Sequence, residues 1–454
     1  MSSATYRIED AVGFANTVIT SIPTYIISPD PNIGTFPNTS DANPNGLALP
    51  RAPNASLGPG SNAGDQFGLA VAAGSNKFVV SAPEKDTAGN NNAGSVFVYD
   101  KGGIAGTPLQ LTANDAGPDD GFGVSVAVNS GRIVVGAPEW DLNLANPNFG
   151  KVYIYDLDGN LINGITPTGI VDKDGNPISG NANGLFGWSV AVGNDRIVVG
   201  SIADNDNGTD SGAVYLCDLN GTFIKKIVEP VAVAGRGFGT SVAVGNGRIV
   251  VGAPNDQNTS PRDGGAVYIY DIDGNLIRKL TEAASASRYG FSVSVGSGKI
   301  VIGAPFETVN GVFFGGKVYV NDINGYPLID LDVSTNSNLF DISNFDQFGY
   351  SVSVNNNIVV IGSPFNDELT PNNAGKWTLV YFEESPTNIN TYTIRYAGTT
   401  STFENAQVGR SVAIGSGTIC VGAPFLINQG VVYAQDIDED SNVYWDNILE
   451  TYKY

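Results

Sequence analysis

The sequence predicts an all-β fold, a seven-bladed β-propeller of four-stranded blades with an extended N-terminal arm. Three observations lead to this prediction: the composition, a pattern that recurs along nearly the whole chain, and the spacing between its copies. The chain of 454 residues contains 57 Gly, 15% charged residues and a single Met. This composition favours short strands joined by many tight turns.

The recurring unit begins with FGxSVAV, a short polar turn and GRIVVGAP, and continues after a longer loop with GAVYIYD, a turn and NLIRKL. The six intervals between Gly68 and Gly409 average about 57 residues. That length gives each unit room for four short strands and their loops. The seven copies start at Phe67, Phe122, Phe186, Phe238, Tyr289, Phe348 and Val408.

The four strands of a unit can be assigned from their patterns. SVAV alternates small and apolar residues and is predicted to be innermost, whereas IVV is apolar on both faces, as expected between neighbouring blades. Pro and Gly in GAP end the second strand. The third strand, VYIYD, is followed by two-residue hairpin turns that require a fourth strand. The Phe and Gly of each FG are predicted to pack between adjacent blades.

Closure of the ring needs an outer strand for the seventh blade, because an open blade would leave an unpaired edge. Residues 1–45 precede the repeats and are interpreted as an extended arm or tether. The propeller is predicted to span residues 46–440, followed by a tail or ring-closing strand at 441–454. Either residues 46–52 or residues 443–449 can supply the closing strand, and the sequence leaves both open.

Charge and composition exclude several classes of function. The chain has 23 Lys and Arg against 45 Asp and Glu, a net charge of -22, which opposes binding to nucleic acid or insertion into anionic membranes. It contains no histidine, so His-based acid–base catalysis and His metal ligands are excluded. Carboxylate pairs that could hydrolyse glycosides are instead clustered in turns. We therefore expect a protein without catalytic activity.

One loop is a candidate calcium site. The stretch DNDNGTD places Asp204, Asp206 and Asp210 at spaced positions with a Gly between them, as calcium loops do. The loop lacks the bidentate Glu of a complete site, so a solvated polar loop is the alternative. No other cofactor is expected. Cys217 and Cys420 lie in strand-like runs and are predicted to be buried free thiols.

Aromatic residues recur on one face of the predicted disc. Strand direction places the loop after GAP and the connectors between blades on this side, which we call the long-loop face. Exposed aromatic clusters mark interfaces, although each ring could instead fold under its own loop. The predicted partner-binding residues are Phe306, Phe313, Phe314, Phe365, Phe425 and Trp140.

The opposite side, the short-turn face, carries basic residues at equivalent positions of five consecutive blades. They could form a basic ring, or each could pair with acidic residues of the nearby hairpin, such as Asp156 or Asp271. The five residues are Lys77, Arg132, Arg196, Arg248 and Lys299.

The repeat resembles the FG-GAP family, whose best-known members form the seven-bladed propeller of integrin α chains. Similar units occur in virion proteins of marine bacteriophages. The resemblance covers roughly residues 46–440 and is carried by FG together with GAP in the copies that start at Phe122, Phe238 and Tyr289. Integrin-type repeats often carry a DxDxDG calcium loop between the first two strands. The corresponding turns here are short, so those calcium sites cannot be transferred to this chain.

Two functional hypotheses follow. The first is a non-enzymatic bacteriophage virion component, in the tail, neck or a capsid appendage, that is present in multiple copies and mediates protein–protein assembly or host attachment. The alternative is a secreted or cell-surface propeller that binds glycans in pockets between blades.

Overall fold

The computed structural model describes residues 25–27 and 64–436. The gaps within this part are residues 88, 102–107, 144–146, 172–174, 176, 179, 232–233, 257–263, 283–285, 333–341, 368–372, 386–387, 401–404 and 426–429. All regular structure in the described residues is β-strand, as predicted. Within this part of the chain, no helix is long and apolar enough to cross a membrane.

Seven four-stranded antiparallel sheets form the blades of the predicted propeller. The first strand along the chain, β1 (Tyr25–Ile27), belongs to the last blade. Blade 1 contains β2 (Val71–Ala73), β3 (Lys77–Ala82), β4 (Ser95–Asp100) and β5 (Leu109–Leu111). Blade 2 contains β6 (Ser125–Asn129), β7 (Arg132–Ala137), β8 (Lys151–Tyr155) and β9 (Leu161–Ile165). A small hairpin of β10 (Ile170–Val171) and β11 (Pro177–Ile178) leads to the next blade.

The remaining blades repeat the arrangement. Blade 3 contains β12 (Phe186–Gly193), β13 (Arg196–Ser201), β14 (Ala213–Cys217) and β15 (Phe223–Val228). Blade 4 contains β16 (Ser241–Gly245), β17 (Arg248–Ala253), β18 (Ala266–Asp271) and β19 (Leu276–Thr281). Blade 5 contains β20 (Ser292–Gly296), β21 (Lys299–Ala304), β22 (Lys317–Asp322) and β23 (Pro327–Leu331). Blade 6 contains β24 (Ser351–Asn355), β25 (Ile358–Ser363), β26 (Lys376–Ser385) and β27 (Asn388–Thr400). Blade 7 contains β28 (Ser411–Gly415), β29 (Thr418–Ala423), β30 (Val431–Asp436) and β1.

The strand that completes blade 7 differs from both segments expected to do so. β1 pairs antiparallel with β30, with Tyr25 opposite Ala434 and Ile27 opposite Val432. This pairing occupies the outer edge of β30, so neither residues 46–52 nor residues 443–449 are needed there; both segments lie outside the described residues. Part of the predicted N-terminal arm therefore belongs to the ring, and the rest of the arm also lies outside the described residues.

The core lies between the blades. Each cluster of buried residues combines two neighbouring blades, as where Val152 and Ile154 of blade 2 pack with Val190 and Val199 of blade 3. The aromatic residue of each FG is buried at such a junction; the ring of Phe122, for example, lies 5.2 Å from that of Tyr153, edge to face. The predicted packing role of the FG motif is confirmed. Cys217 and Cys420 are buried in different blades and are not linked by a disulfide, also as predicted.

The Gly of GAP makes the closest contact between blades. A Cβ at Gly136 would lie 2.1 Å from the carbonyl oxygen of Gly187 in the next blade, so only Gly allows this approach. The Ser125 hydroxyl donates a hydrogen bond to the same oxygen, at 2.7 Å. The Ser411 hydroxyl makes the equivalent bond to Gly68 and links blade 7 to blade 1.

The innermost strands of all seven blades line a central channel of about 770 Å³. Small side chains line its length, and Ser and Asn residues of the short turns lie at its end. In the described residues, Asp195 is the only charged residue of this lining.

Candidate binding surface on the long-loop face

Two positions of the repeat meet at the long-loop face. One is the residue after FG, which precedes the innermost strand, and the other is the residue after GAP, which follows the second strand. These strands are antiparallel, with Ser292 opposite Gly303 in blade 5, so the two positions lie at the same end of the sheet. In blade 5 they hold Phe291 and Phe306, whose ring centroids are 6.1 Å apart.

Six aromatic rings form a continuous row across blades 5 and 6. Successive centroids along it are 5.8, 5.8, 6.1, 4.8 and 6.0 Å apart. We call this set the aromatic row; its members, in order, are Phe345, Phe314, Phe306, Phe291, Tyr350 and Phe365.

One end of the aromatic row is open to solvent. Phe345 is 57% exposed, and Phe313 beside it is 60% exposed. The backbone N–H of Phe345 donates to the carbonyl oxygen of Phe313 at 2.8 Å, which fixes the two loops relative to each other. The other five rings of the row are half-buried. The surface therefore combines a supported aromatic floor with two protruding phenylalanines.

Two arginines stack on the aromatic row. The Arg288 guanidinium lies 4.8 Å from the centroid of Phe306, and that of Arg410 lies 4.7 Å from the centroid of Tyr350. Burial raises the pKa of Tyr350, and the positive charges of both arginines oppose this rise. Within the described part of the chain, neither guanidinium has a carboxylate or another hydrogen-bond acceptor.

The predicted partner-binding residues separate into two groups. Phe306, Phe314 and Phe365 belong to the aromatic row, and Phe313 adjoins it. Phe425 is 37% exposed in blade 7 and makes no ring contact with the row in the described residues. Trp140 lies in blade 2, half-buried against the core cluster of blades 1 and 2 and 4.8 Å from the Lys151 ammonium.

Sequence reasoning missed Phe291, Tyr350, Phe345 and both arginines. A signal for two of them was present, because Phe291 and Tyr350 each follow the FG or YG dipeptide, a position that also holds an aromatic residue, Trp188, in blade 3. Arg410 occupies the same repeat position in blade 7, whereas Phe345 and Arg288 lie in connectors between blades, where the repeat imposes no pattern.

The candidate calcium loop is organised around a lysine. The Lys226 ammonium lies 2.8 Å from Oδ2 of Asp204 and 2.5 Å from Oδ2 of Asp206. Asp204 is fully buried and also accepts a hydrogen bond from the Tyr215 hydroxyl at 2.7 Å. Asp210 is exposed, and its N–H donates to Asn205. No cluster of three or more metal-ligating side chains occurs in the described residues. The Lys226 ammonium thus offsets the charge of these two carboxylates.

The same arrangement recurs in the next two blades, which identifies it as part of the repeat. In blade 4 the Lys279 ammonium lies 2.7 Å from Asp256, which also accepts a hydrogen bond from Tyr268. In blade 5 Glu307 accepts a hydrogen bond from Tyr319 at 2.7 Å. In each of these blades the acidic residue lies two positions after the Pro of GAP, or after the residue that replaces this Pro. Its hydrogen bond to the tyrosine anchors the third strand of the same blade.

The basic residues of the short-turn face connect blades. Arg132 donates to the carbonyl oxygen of Leu219 at 2.9 Å, and Arg196 donates to that of Ile272 at 3.3 Å, each in the hairpin of the next blade. Arg248 donates to Asn324 and Lys299 to Asn357, again in the next blade, whereas Lys77 pairs with Asp100 of its own hairpin.

The acidic partners named for these basic residues cap their own turns instead. Asp156 accepts hydrogen bonds from the backbone N–H groups of Asp158 and Asn160, and Asp271 does the same for Asp273 and Asn275. Hydrogen bonds from Asn160 to the carboxylate of Asp156 lower the pKa of that carboxyl. Asp156 and Asp271 are therefore not the partners, but the expected pairing with nearby acidic residues is found for Lys77, which pairs with Asp100, and for Arg196, which lies 3.4 Å from Oδ1 of Asp273.

Seven four-stranded blades around a channel define a β-propeller, and a comparison with protein-family models identifies its repeat. The FG-GAP repeat model matches residues 58–99, 109–155, 177–217, 222–270 and 340–377. The chain therefore carries five FG-GAP repeats. No curated protein matches the chain. The matches omit most of blade 5, which carries three rings of the aromatic row, although the fold of this blade is the same.

Proposed function

We propose that the protein is a non-enzymatic binding module whose partner docks on the long-loop face of blades 5 and 6. The observation that carries this proposal is the aromatic row with two stacked arginines that lack a partner in the described residues. Aromatic rings and arginines dominate the binding energy of many interfaces. Rings held in place before binding lose little conformational entropy when a partner arrives.

The chemistry of the surface favours a protein segment that carries both carboxylates and apolar side chains. A guanidinium presents N–H groups in a planar fork that matches a carboxylate, and stacking on a ring fixes its plane. Phe313 and Phe345 offer apolar contacts beside these donors. The arginines are a local exception in a chain of net charge -22, so they select an acidic partner that the remaining surface would repel.

The absence of histidine and the involvement of buried carboxylates in ion pairs support a role without catalysis. Asp204, Asp256 and Glu307 each bind a tyrosine hydroxyl and lie near a lysine. Groups held in this way stabilise strands rather than exchange protons with a substrate.

For the biological setting, we propose a structural or adhesion component of a virion that is present in multiple copies. The resemblance of the repeat to units of marine bacteriophage virion proteins supports this setting. The alternative, a glycan-binding propeller, would use the same aromatic rings for stacking and the arginines for acidic sugars.

A selection experiment tests the binding surface. A random-peptide display library is selected on the wild-type protein and on a variant with Phe313→Ser and Phe345→Ser. Two exposed apolar residues of β19 in blade 4 provide the matched control, Leu276→Ser with Ile277→Ser. We expect peptides rich in Asp or Glu and aromatic residues to be enriched on the wild type and the control, but not on the first variant.

A second variant, with Arg288→Gln and Arg410→Gln, should lose the acidic peptides specifically. Enrichment of uncharged or basic peptides, or equal enrichment on all variants, would contradict the proposal. On a glycan array, binding that depends on Phe313 and Phe345 would favour the glycan alternative. Mass spectrometry of purified particles tests the setting, which is rejected if the protein does not copurify with virions.

A further inference from the structure

We propose that the protein forms a homodimer in which the outer edges of β27 from two copies pair antiparallel, so that two copies of blade 6 become one continuous sheet. This interface lies on blade 6 away from the aromatic row, and the inference does not depend on the proposed function. It rests on the length of β27, the direction of its backbone groups, the regularity of its edge and the self-complementarity of its sequence.

The third and fourth strands of blade 6 break the repeat by their length. β27 has 13 residues, whereas the outermost strands of the other blades have three to six. β25 pairs with β26 only as far as Tyr381, so the hairpin continues beyond the blade towards the short-turn face. The outer part of the β26–β27 hairpin therefore extends past the end of β25, the second strand.

The direction of the backbone groups follows from the pairing register. The N–H of Phe382 donates to the carbonyl oxygen of Asn357, on the β25 side of β26. Backbone groups alternate in direction along a strand, so those of Tyr381 face β27 and meet Arg395 opposite. The N–H and C=O groups of the residues between, including Ile394 and Tyr396, therefore face outward. No described strand pairs with this edge.

The edge lacks the features with which proteins usually prevent strand addition, namely Lys, Pro, bulges and short length. Blades 2 to 5 each have a bulge between the third and fourth strands. In blade 6 the register is continuous from Lys376 opposite Thr400 to Glu384 opposite Tyr392, with a shift only at the hairpin tip. Arg395 is the one charged residue of β27, and the strand contains neither Lys nor Pro.

The sequence of β27 selects a second copy as the occupant. Antiparallel pairing centred on Ile394 places Tyr392 opposite Tyr396 of the second copy and Ile394 opposite its own equivalent. Aromatic and β-branched cross-strand pairs of this kind stabilise sheets. Arg395 then lies opposite Thr393, whereas centring on Arg395 would oppose two like charges. The edge thus complements itself, as a two-fold interface requires.

Net charge gives this dimer a distinctive response to salt. Each copy carries a charge of -22, so the two molecules repel each other although the pairing edges are nearly uncharged. Salt screens repulsion between distant charges, with a Debye length of about 8 Å at physiological ionic strength. The dimer should therefore become tighter as the NaCl concentration rises.

Analytical ultracentrifugation of the full chain tests the proposal. Ile394→Pro removes an outward N–H but leaves pairing with β26 intact, and Ile394→Thr keeps the N–H as the matched control. We expect Ile394→Pro to raise the dimer Kd at least about tenfold, because each two-fold interface loses donors at symmetric positions. The control should remain within a few-fold of the wild type. A wild type that is monomeric at all concentrations, or equal Kd values for the two variants, would overturn the proposal.

Two further measurements do not depend on how the Pro variant folds. A synthetic peptide of residues 388–400 should dissociate the wild-type dimer, whereas a scrambled peptide of the same composition should not. Ile394→Cys should form a disulfide-linked dimer on oxidation, because hydrogen-bonded antiparallel partners have Cα atoms about 5.5 Å apart, within disulfide reach. Gly398→Cys is the control, because in the proposed register residue 398 lies opposite Asn390 of the second copy and not opposite its own equivalent. Equal cross-linking at both positions would refute the proposed register. A dimer that weakens as the NaCl concentration rises would refute the interface.

Discussion

Buried charges around blade 4 form a connected polar network. Nη1 of Arg236 pairs with Glu229 and lies 3.1 Å from Oδ1 of Asp256. The Tyr268 hydroxyl bonds to both carboxylates, and the Lys279 ammonium lies 2.7 Å from Asp256. Arg236 and both carboxylates are almost fully shielded from water. Removing one member therefore leaves charges that water cannot solvate.

We predict that Arg236→Met lowers the free energy of unfolding by about 3–5 kcal/mol, because two buried carboxylates lose their main counterion. Arg278→Met in the same blade is the control. Its guanidinium stacks 4.0 Å from the ring of Tyr326, which is exposed, so we expect a loss below about 1 kcal/mol. Urea unfolding of both variants measures the difference. Similar losses of unfolding free energy in the two variants would show that burial does not determine how much this network contributes to stability.

Asp346 couples stability to pH. Burial raises the pKa of its carboxyl to about 7, against hydrogen bonds from the Ser343 N–H and the Asn366 amide. In the unfolded chain the pKa of an Asp is about 3.9, so the folded protein holds the proton more tightly between these values. The contribution of this group to stability is therefore greatest below pH 4 and falls as pH rises towards 7.

The variant Asp346→Asn should remove this dependence. Its amide stays neutral at every pH, so we expect it to be more stable than the wild type at pH 8 by about 1–3 kcal/mol and closer to it at pH 5. Free energies of unfolding at both pH values provide the test. Burial also raises the pKa of Glu307, to about 6, which acts in the same direction and remains in both proteins. An unchanged pH dependence in the variant would contradict the assignment to Asp346.

Among the elements, the junction between neighbouring blades shows how the repeat tolerates variation. In blade 4 a Cβ at Gly252 would lie 2.0 Å from the Gly290 carbonyl oxygen and 2.3 Å from the Ser241 hydroxyl. Blade 1 has Ser81 at the position of this Gly and Ala70 at the position of the Ser. There the Ala70 N–H donates to the Ser81 hydroxyl at 3.0 Å. Blade 1 therefore carries the serine hydroxyl on its second strand, whereas blade 4 carries it on its innermost strand.

This exchange predicts a rescue. Gly252→Ser alone should destabilise the protein by at least about 3 kcal/mol, because two blades must separate. Adding Ser241→Ala reproduces the arrangement of blade 1 and should recover part of the loss, as a thermal unfolding series would measure. Gly164→Ala is the control, since the only close approach of its Cβ would be to the flexible end of the Lys151 side chain. A double variant that is no more stable than Gly252→Ser would refute the compensation.

The sequence predicted the strands of each blade well because the repeat encodes them locally. FG, GAP and the Asx-Gly turns fix where strands begin and end, and the pattern of IVV identifies the buried second strand. The length of β27 was not predicted, although Tyr392, Ile394 and Tyr396 alternate with polar residues as a strand does, because no other copy of the repeat has so long a fourth strand. The aromatic row was found only in part, because Phe345 joins it from a connector outside the repeat.

At the scale of the whole molecule, the ring depends on a strand that lies far from the repeats in sequence. Tyr25–Ile27 carries no repeat motif, so its pairing with β30 could not be inferred from the sequence. We predict that a variant lacking residues 1–27 melts several degrees below the wild type, because β30 loses its outer partner. A variant lacking residues 1–22 keeps β1 and should melt close to the wild type. Equal melting temperatures for the two truncations would argue against closure by β1.

This result also changes how a tethering role of the N-terminal arm must be tested. Deletion of residues 1–45 would remove β1 together with the arm, and lost assembly could then reflect an opened ring. The shorter truncation separates these effects.

The pairing of β1 with β30 also sets an order of events on the ribosome. Blades 1 to 6 each form from contiguous sequence and can assemble as they emerge. β1 emerges before all of them, yet its partner is made last, on the order of tens of seconds later at ordinary rates of synthesis. Closing this longest loop carries the largest entropic cost of any strand pairing in the propeller. Of the described strands, the first to be synthesised is therefore the last to pair.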